Sequence, residues 1–189
     1  MDDFHYIMQT PSDKLTVTEL EKITRIRNAI VKPDSKTLMQ KVIPKSGIVN
    51  YLKEINPYKT VGGFVTKAAD AKHLKSYEDL YFGLRLDYTD TGGKLYNYVE
   101  DGSCGVIRFQ SKEAKDVIIP ASSTTTEKFP FTNHGFTSGN NGRIGAPEWK
   151  LDGYNNYFED GAELWEVYND GSEVLRAVYS KSKDRFIKK

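Results

Sequence analysis

The spacing of apolar residues changes along the chain, from a helical period near the start to strict alternation near the end. Leu20, Ile23, Ile26 and Ile30 recur three or four apart, which predicts an amphipathic helix with Lys22, Arg25 and Arg27 off its apolar stripe. Thr16 and Glu19 stand at capping-box spacing, Leu15 and Leu20 at hydrophobic-staple spacing, and Pro33 stops the run. Two shorter helices are expected over 35–42 and 47–55, the second ended by Asn56-Pro57. Residues 1–14 read as a loose leader. Past Pro57, Val61 to Thr66 reads as a short strand whose Gly62 and Gly63 allow a close backbone approach. A short helical turn carrying His73 follows over 67–74. Ser76 then caps a helix with Glu78 and Asp79 in its first turn, where negative charge suits the helix dipole. Its apolar face is Tyr77, Leu80, Tyr81 and Leu84.

Residues 105–109 and 117–120 are short apolar strands. In the tail, 162–168 and 174–179 are joined by Asn169-Asp170-Gly171, a strong hairpin signal, and Phe186 and Ile187 offer a third strand. The fold class expected is α+β: N-terminal helices, then a mostly antiparallel sheet carrying a long ordered loop. Residues 1–57 form a helical segment packed on a core that spans 58–189.

One stretch fits neither period. Residues 129–148 hold Phe129, Phe131, His134, Phe136, Arg143 and Glu148 among four glycines. Long irregular loops inside a domain are uncommon unless functional or disordered, and disordered segments are poor in aromatics. This segment is therefore read as an ordered loop that builds a site. Residues 121–128 are a Ser/Thr-rich connector.

Composition narrows the chemistry. Of 189 residues, 27 are Lys or Arg and 26 Asp or Glu, a balance that argues against a duplex-DNA binder, which usually carries a basic stripe. A single cysteine, Cys104, excludes an intrachain disulfide, and its strand-start position reads as a small buried residue. The acidic start is not a secretory signal, and no apolar run approaches bilayer length. The three histidines have no zinc-ligand spacing, and Gly62-Gly63 lacks the surroundings of a phosphate-binding loop. Neither a metal nor a cofactor is expected, and no membrane partner.

The candidate chemistry rests on arginines, one histidine and one carboxylate. Arg85 follows the end of a helix and Arg108 lies between Ile107 and Phe109; such a guanidinium either grips a diphosphate or carboxylate in a bidentate way or is salt-bridged at the surface. Phe131, Phe136 and Trp149 offer faces for a flat heterocycle. His134 is a candidate base or donor near neutral pH, or a residue making a loop hydrogen bond. Glu148 beside Trp149 places a carboxylate against an apolar wall, where it can stabilise an oxocarbenium-like transition state, or it simply starts a strand.

Residues 62–88, 130–149 and 161–179 together resemble C-terminal toxin domains of bacterial polymorphic toxins. The order of arginine, aromatic glycine-rich loop, acid at a strand start and β meander looks most like the NAD-glycohydrolase and ADP-ribosyltransferase-like toxins. The resemblance implies that Arg85 holds the NAD diphosphate, Phe136 stacks on nicotinamide and Glu148 serves the ribosyl transition state, with His134 assisting; Arg143, Phe131 and Arg108 complete the expected substrate-binding surface. It implies delivery into a target cell, a cognate immunity protein with acidic residues facing Arg85 and Arg143, and NAD as substrate. The chain departs from the family at Gly142-Arg143-Ile144-Gly145-Ala146-Pro147-Glu148, where the necrotizing type carries Gly-Gly-Gly-x-Gln, and Ser122-Ser123-Thr124 is the sole counterpart of a Ser-Thr-Ser motif. Two alternatives stand beside this reading. One is a metal-independent RNase toxin of the barnase or EndoU-like kind, using His134, Arg143 and Thr137. The other is a non-enzymatic interaction domain whose aromatics meet a protein.

Overall fold

Capping chemistry builds the helices where the sequence places its caps. The computed structural model describes residues 3–10, 12–55, 57–90, 92–120 and 132–189. The first helix, α1 (Asp3–Gln9), buries Ile7 and Met8, so the expected loose leader is largely ordered by burial of its own apolar pair. After a 3-10 turn at Ser12–Lys14 comes α2 (Val17–Ala29), where Thr16 and Glu19 close a reciprocal capping box. The buried positions of α2 are Ile23 and Arg27, so the arginine expected off the stripe lies on the inner face one turn after Ile23.

The helix expected over 35–42 is a strand. Met39–Ile43 forms β1, and its neighbours Met39, Val42 and Ile43 are all buried because both faces of the sheet are covered. Next come α3 (Lys45–Leu52), β2 (Thr60–Lys67) and α4 (Tyr77–Gly83), the last with a Ser76–Asp79 capping box. Residues 68–73 are turns and not a helix. The small hairpin β3 (Thr89–Asp90) and β4 (Gly93–Lys94) precedes α5 (Tyr98–Asp101) and β5 (Ser103–Phe109). Residues 117–120, expected as a strand, make only a bridge between Ile118 and Lys150. A second small hairpin, β6 (Thr132–Asn133) and β7 (Phe136–Thr137), leads to β8 (Trp149–Tyr157). The tail supplies β9 (Glu163–Tyr168), β10 (Glu173–Ser180) and β11 (Arg185–Lys188), the three strands its alternation predicts.

Seven strands form one antiparallel sheet in the order β11-β10-β9-β5-β1-β2-β8, and the fold is α+β. One face packs Met39, Ile43, Ile107, Phe109, Val65 and Trp149 against Ile48 and Tyr51 of α3. The other packs Val42, Cys104, Val106 and Val167 against Tyr77, Leu80, Tyr81 and Leu84 of α4. Cys104 is fully buried, and burial pushes its thiol up, as befits a core residue. A third cluster joins α1 and α2 to Phe136. Among the described residues no helix is long and apolar enough to cross a membrane, and no group of His, Cys, Asp and Glu is arranged to hold a metal ion.

The sheet has one local parting. β1 pairs with β5 over five residues but with β2 only at Met39–Lys67 and Gln40–Thr66. Had the register continued, Val42 would face Phe64. The carbonyls of those two residues are taken by side chains instead: Tyr96 Oη donates to Val42 O at 3.0 Å and Lys41 Nζ to Phe64 O at 3.1 Å. These bonds satisfy backbone acceptors that the missing ladder leaves over.

Candidate functional site

From residue 132 onward the long loop is fastened at several points to α4 and the residues flanking it. Thr137 Oγ1 donates to Gly83 O at 2.9 Å and accepts from Ala146 N at 2.8 Å, while Thr137 N bonds Ala146 O, which closes the loop at its base. Arg143 reaches the first turn of α4 and pairs with Glu78 and Asp79, both at 3.1 Å. His73 and the Ile144 carbonyl meet at 3.1 Å, and Asn140 donates to Asp87 at 3.2 Å. Gly145 has no room for a side chain, since a Cβ there would lie 1.8 Å from Thr137 O.

Arg85 belongs to the same fastening. It ends α4 in a Schellman arrangement: Leu86 N bonds Tyr81 O, Arg85 N bonds Phe82 O, and Arg85 takes the left-handed position with φ +56°. Its Nε donates to Asp87 at 2.8 Å and Nη1 to Ser138 Oγ at 2.9 Å. Arg108 forks onto both oxygens of Glu173, at 2.8 and 2.6 Å, and lies over Trp165. These three arginines are committed to the protein's own carboxylates. His134 occupies the β6–β7 turn with Gly135, at φ +50° and +78°, the two positive values a two-residue type I′ turn needs. Burial lowers its pKa, so the neutral imidazole is favoured there. Phe136 is buried against Phe4, α1 and α2, and it does not offer a free stacking face. Phe131 and Ser122-Ser123-Thr124 lie outside the described residues.

Glu148 is placed differently. It is 8% exposed and lines a cleft of about 70 Å³ that opens at the β1–β2 parting. Gln40, Lys41 and Val42 line one side and Phe64, Val65 and Thr66 the other, with Leu84, Leu86, Tyr88 and Tyr96 closing it. Leu84 and Leu86 face this cleft while Arg85 between them turns to Asp87 and Ser138, so the cleft does not bring Arg85 to Glu148. The cation that shares it is Lys41. By strand alternation Lys41 belongs to the face of Met39 and Ile43, yet its ammonium reaches the parting to bond Phe64 O. Burial outweighs the attraction of Glu148, and the lysine pKa is pushed down to about 8. Thr66 is 3% exposed and its hydroxyl makes no hydrogen bond.

Behind Glu148 lies Arg27, 2% exposed. Its guanidinium sits 3.8 Å from the centre of the Trp149 ring, and Nη2 donates to the Glu148 carbonyl at 2.8 Å. On its other side is the Gly135 backbone, where a Cβ would fall 2.4 Å from Arg27 Nε. Burial lowers the pKa of Arg27 to about 10, against the pull of Asp70 and Glu148, so it stays charged at neutral pH. Arg27 thus sets the backbone of Glu148; its i+4 spacing from Ile23 places it on the buried face, and its charge is what hid it in the sequence. Lys41 was hidden because 35–42 reads as helix. The signal available for Lys41 was a charge inside the run Met39-Gln40-Lys41-Val42-Ile43, and the Gly62-Gly63 pair opposite it; Gly63 leaves open the space beside the ammonium.

Comparison of the chain with protein-family models, with curated proteins and with solved structures returned no match.

Proposed function

We propose that the chain is a bacterial toxin effector domain that cleaves NAD, as a glycohydrolase or an ADP-ribosyltransferase, with Glu148 serving the ribosyl transition state. The observation that supports it is the buried Glu148 carboxylate at a cleft that also holds a cation and aromatic walls. In the step proposed, the bond from ribose C1′ to the nicotinamide nitrogen breaks and its electron pair leaves with the pyridine ring. Glu148 stabilises the oxocarbenium ion that remains and orients the water, or the target nucleophile, that attacks C1′; the proton released passes to the carboxylate and then to solvent. The diphosphate is met by Lys41 and not by Arg85. An immunity protein would set an acidic group at this cleft, since Arg85 and Arg143 are already paired with Asp87, Glu78 and Asp79.

Release of nicotinamide from NAD by the purified chain tests the reading. Glu148→Gln, with the fold intact by circular dichroism, is expected to lose at least about 100-fold in rate, the usual cost of one transition-state contact. Absence of nicotinamide release at micromolar enzyme overturns it. A second reading is favoured by one observation, the closeness of Lys41 to Glu148. A carboxylate that takes a 2′-hydroxyl proton beside a cation that holds the phosphorane is the equipment of a metal-independent RNase. Thr137 and Arg143 are engaged in fastening the loop, so that reading rests on Glu148 and Lys41. Cleavage of RNA by wild type but not by Glu148→Gln, with NAD untouched, selects it.

A further inference from the structure

We propose that the β1–β2 parting is a subsite for one phosphate group of a nucleotide, with Lys41 Nζ and Thr66 Oγ1 as its donors and Glu148 at its mouth toward the sugar. This rests on the reading of the chain as a nucleotide-cleaving enzyme and names the part of the substrate that the cleft takes.

Three observations carry it. The first is donor count. Lys41 has three N–H groups and gives one to Phe64 O, and the Thr66 hydroxyl is buried with no partner. A buried hydroxyl without a bond is costly, and a ligand acceptor would recover that cost. In an antiparallel ladder a residue's N–H points the same way as its C=O. The carbonyls of Val42 and Phe64 are met by Tyr96 and Lys41 from the parting, so the N–H groups of those two residues face it as well.

The second is charge. Lys41 and Arg27 both feel the attraction of Glu148, and Arg27 is drawn by Asp70 as well, so Lys41 shares its carboxylate with a second cation. Burial of the Lys41 ammonium is costly, and a bound oxyanion offsets that cost.

The third is size. The cleft is small, about 70 Å³, in proportion to a single tetrahedral oxyanion. Sugar and base would lie outside, across the exposed ring of Phe64, with the sugar passing Glu148. A carboxylate beside a phosphate site repels the anion, so Glu148 should weaken phosphate binding while serving the sugar.

Calorimetric titration with inorganic pyrophosphate at pH 7 and low salt tests the subsite without any turnover. Wild type is expected to bind it. Lys41→Met should weaken binding at least tenfold and Thr66→Val three- to tenfold, whereas Glu148→Gln should bind as tightly as wild type or more tightly. The charged and titratable groups that face Lys41 are Glu148, with Arg27 behind it, and Tyr88 and Tyr96 across the cleft. As pH rises from 7 to 9.5 the affinity of wild type should fall relative to Lys41→Arg, which stays charged; taking the ratio of the two removes the ionisation of pyrophosphate itself. Lys41→Arg also reports the site if Lys41→Met does not fold. No binding at millimolar pyrophosphate, or equal affinity in wild type and Lys41→Met, overturns the subsite. Binding with this mutational pattern but no cleavage of NAD or RNA leaves the subsite standing and removes the catalytic reading.

Discussion

At Arg85 the backbone stands at φ +56°, a conformation that costs a non-glycine residue roughly 1 kcal/mol. Glycine is the common choice at this point of a Schellman motif. The arginine is kept there with two side-chain bonds, to Asp87 and Ser138, that tie the end of α4 to the long loop. Arg85→Ala should therefore lose those bonds and keep the strain, and Arg85→Gly should lose the bonds and shed it. Urea denaturation is expected to place Arg85→Gly about 1 kcal/mol above Arg85→Ala in stability. At Lys41 the balance is electrostatic. Its folded pKa of about 8 lies below the ordinary 10.5, so between those values the unfolded chain holds more protons and stability rises with pH. Below about pH 8 the burial penalty on the ammonium is present in full. The urea midpoint of wild type minus that of Lys41→Met should thus climb between pH 8 and 10; a flat difference would show that the ammonium is solvated.

At the scale of elements, the hairpin β6–β7, helix α2 and the start of β8 are held together through one guanidinium. Arg27 lies between the Gly135 backbone and the Trp149 ring and bonds the Glu148 carbonyl. Arg27→Ala empties that space and leaves a carbonyl without its donor, and a loss of about 3 kcal/mol is expected. Amide exchange should speed up over 132–137 and 147–150 before it does so in β9 and β10. The sequence shows clearly the elements that local rules decide. The capping boxes at Thr16 and Ser76 and the Asp170-Gly171 hairpin each depend on residues within a few positions, and each is found. β1 was not legible, because Met39-Gln40-Lys41-Val42-Ile43 is covered on both faces and so lacks alternation. The candidate cleft was legible at Glu148, where a carboxylate follows an aperiodic loop. It was not legible at Arg27, Lys41 and Thr66, which meet only when strands distant in sequence come together. Arg85 and Arg108 stand out by their flanking residues and Arg143 by its place in the loop, but the partners of Arg108 and Arg143, Glu173 and Glu78 with Asp79, are distant in sequence and no reading of spacing supplies them.

At the scale of the whole molecule, the sheet order interleaves early and late parts of the chain. β1 comes from the N-terminal segment and lies between β5 and β2, with Met39 and Ile43 in the main core. A fragment of 58–189 would lack a central strand and both its neighbours' pairings. It is expected to show no cooperative thermal transition by circular dichroism, and addition of a 1–57 peptide should restore one. A stable, cooperatively melting 58–189 fragment would refute this view of the sheet.

The position of β1 also makes the molecule directional under load. Force applied at the N-terminus reaches, after two short helices, a strand locked by neighbours on both sides. Force applied at the C-terminus meets β11, then β10, then β9, an ordered peel from one margin inward. A domain that must be drawn through a narrow passage would give way readily when led by its tail and resist when led by its head.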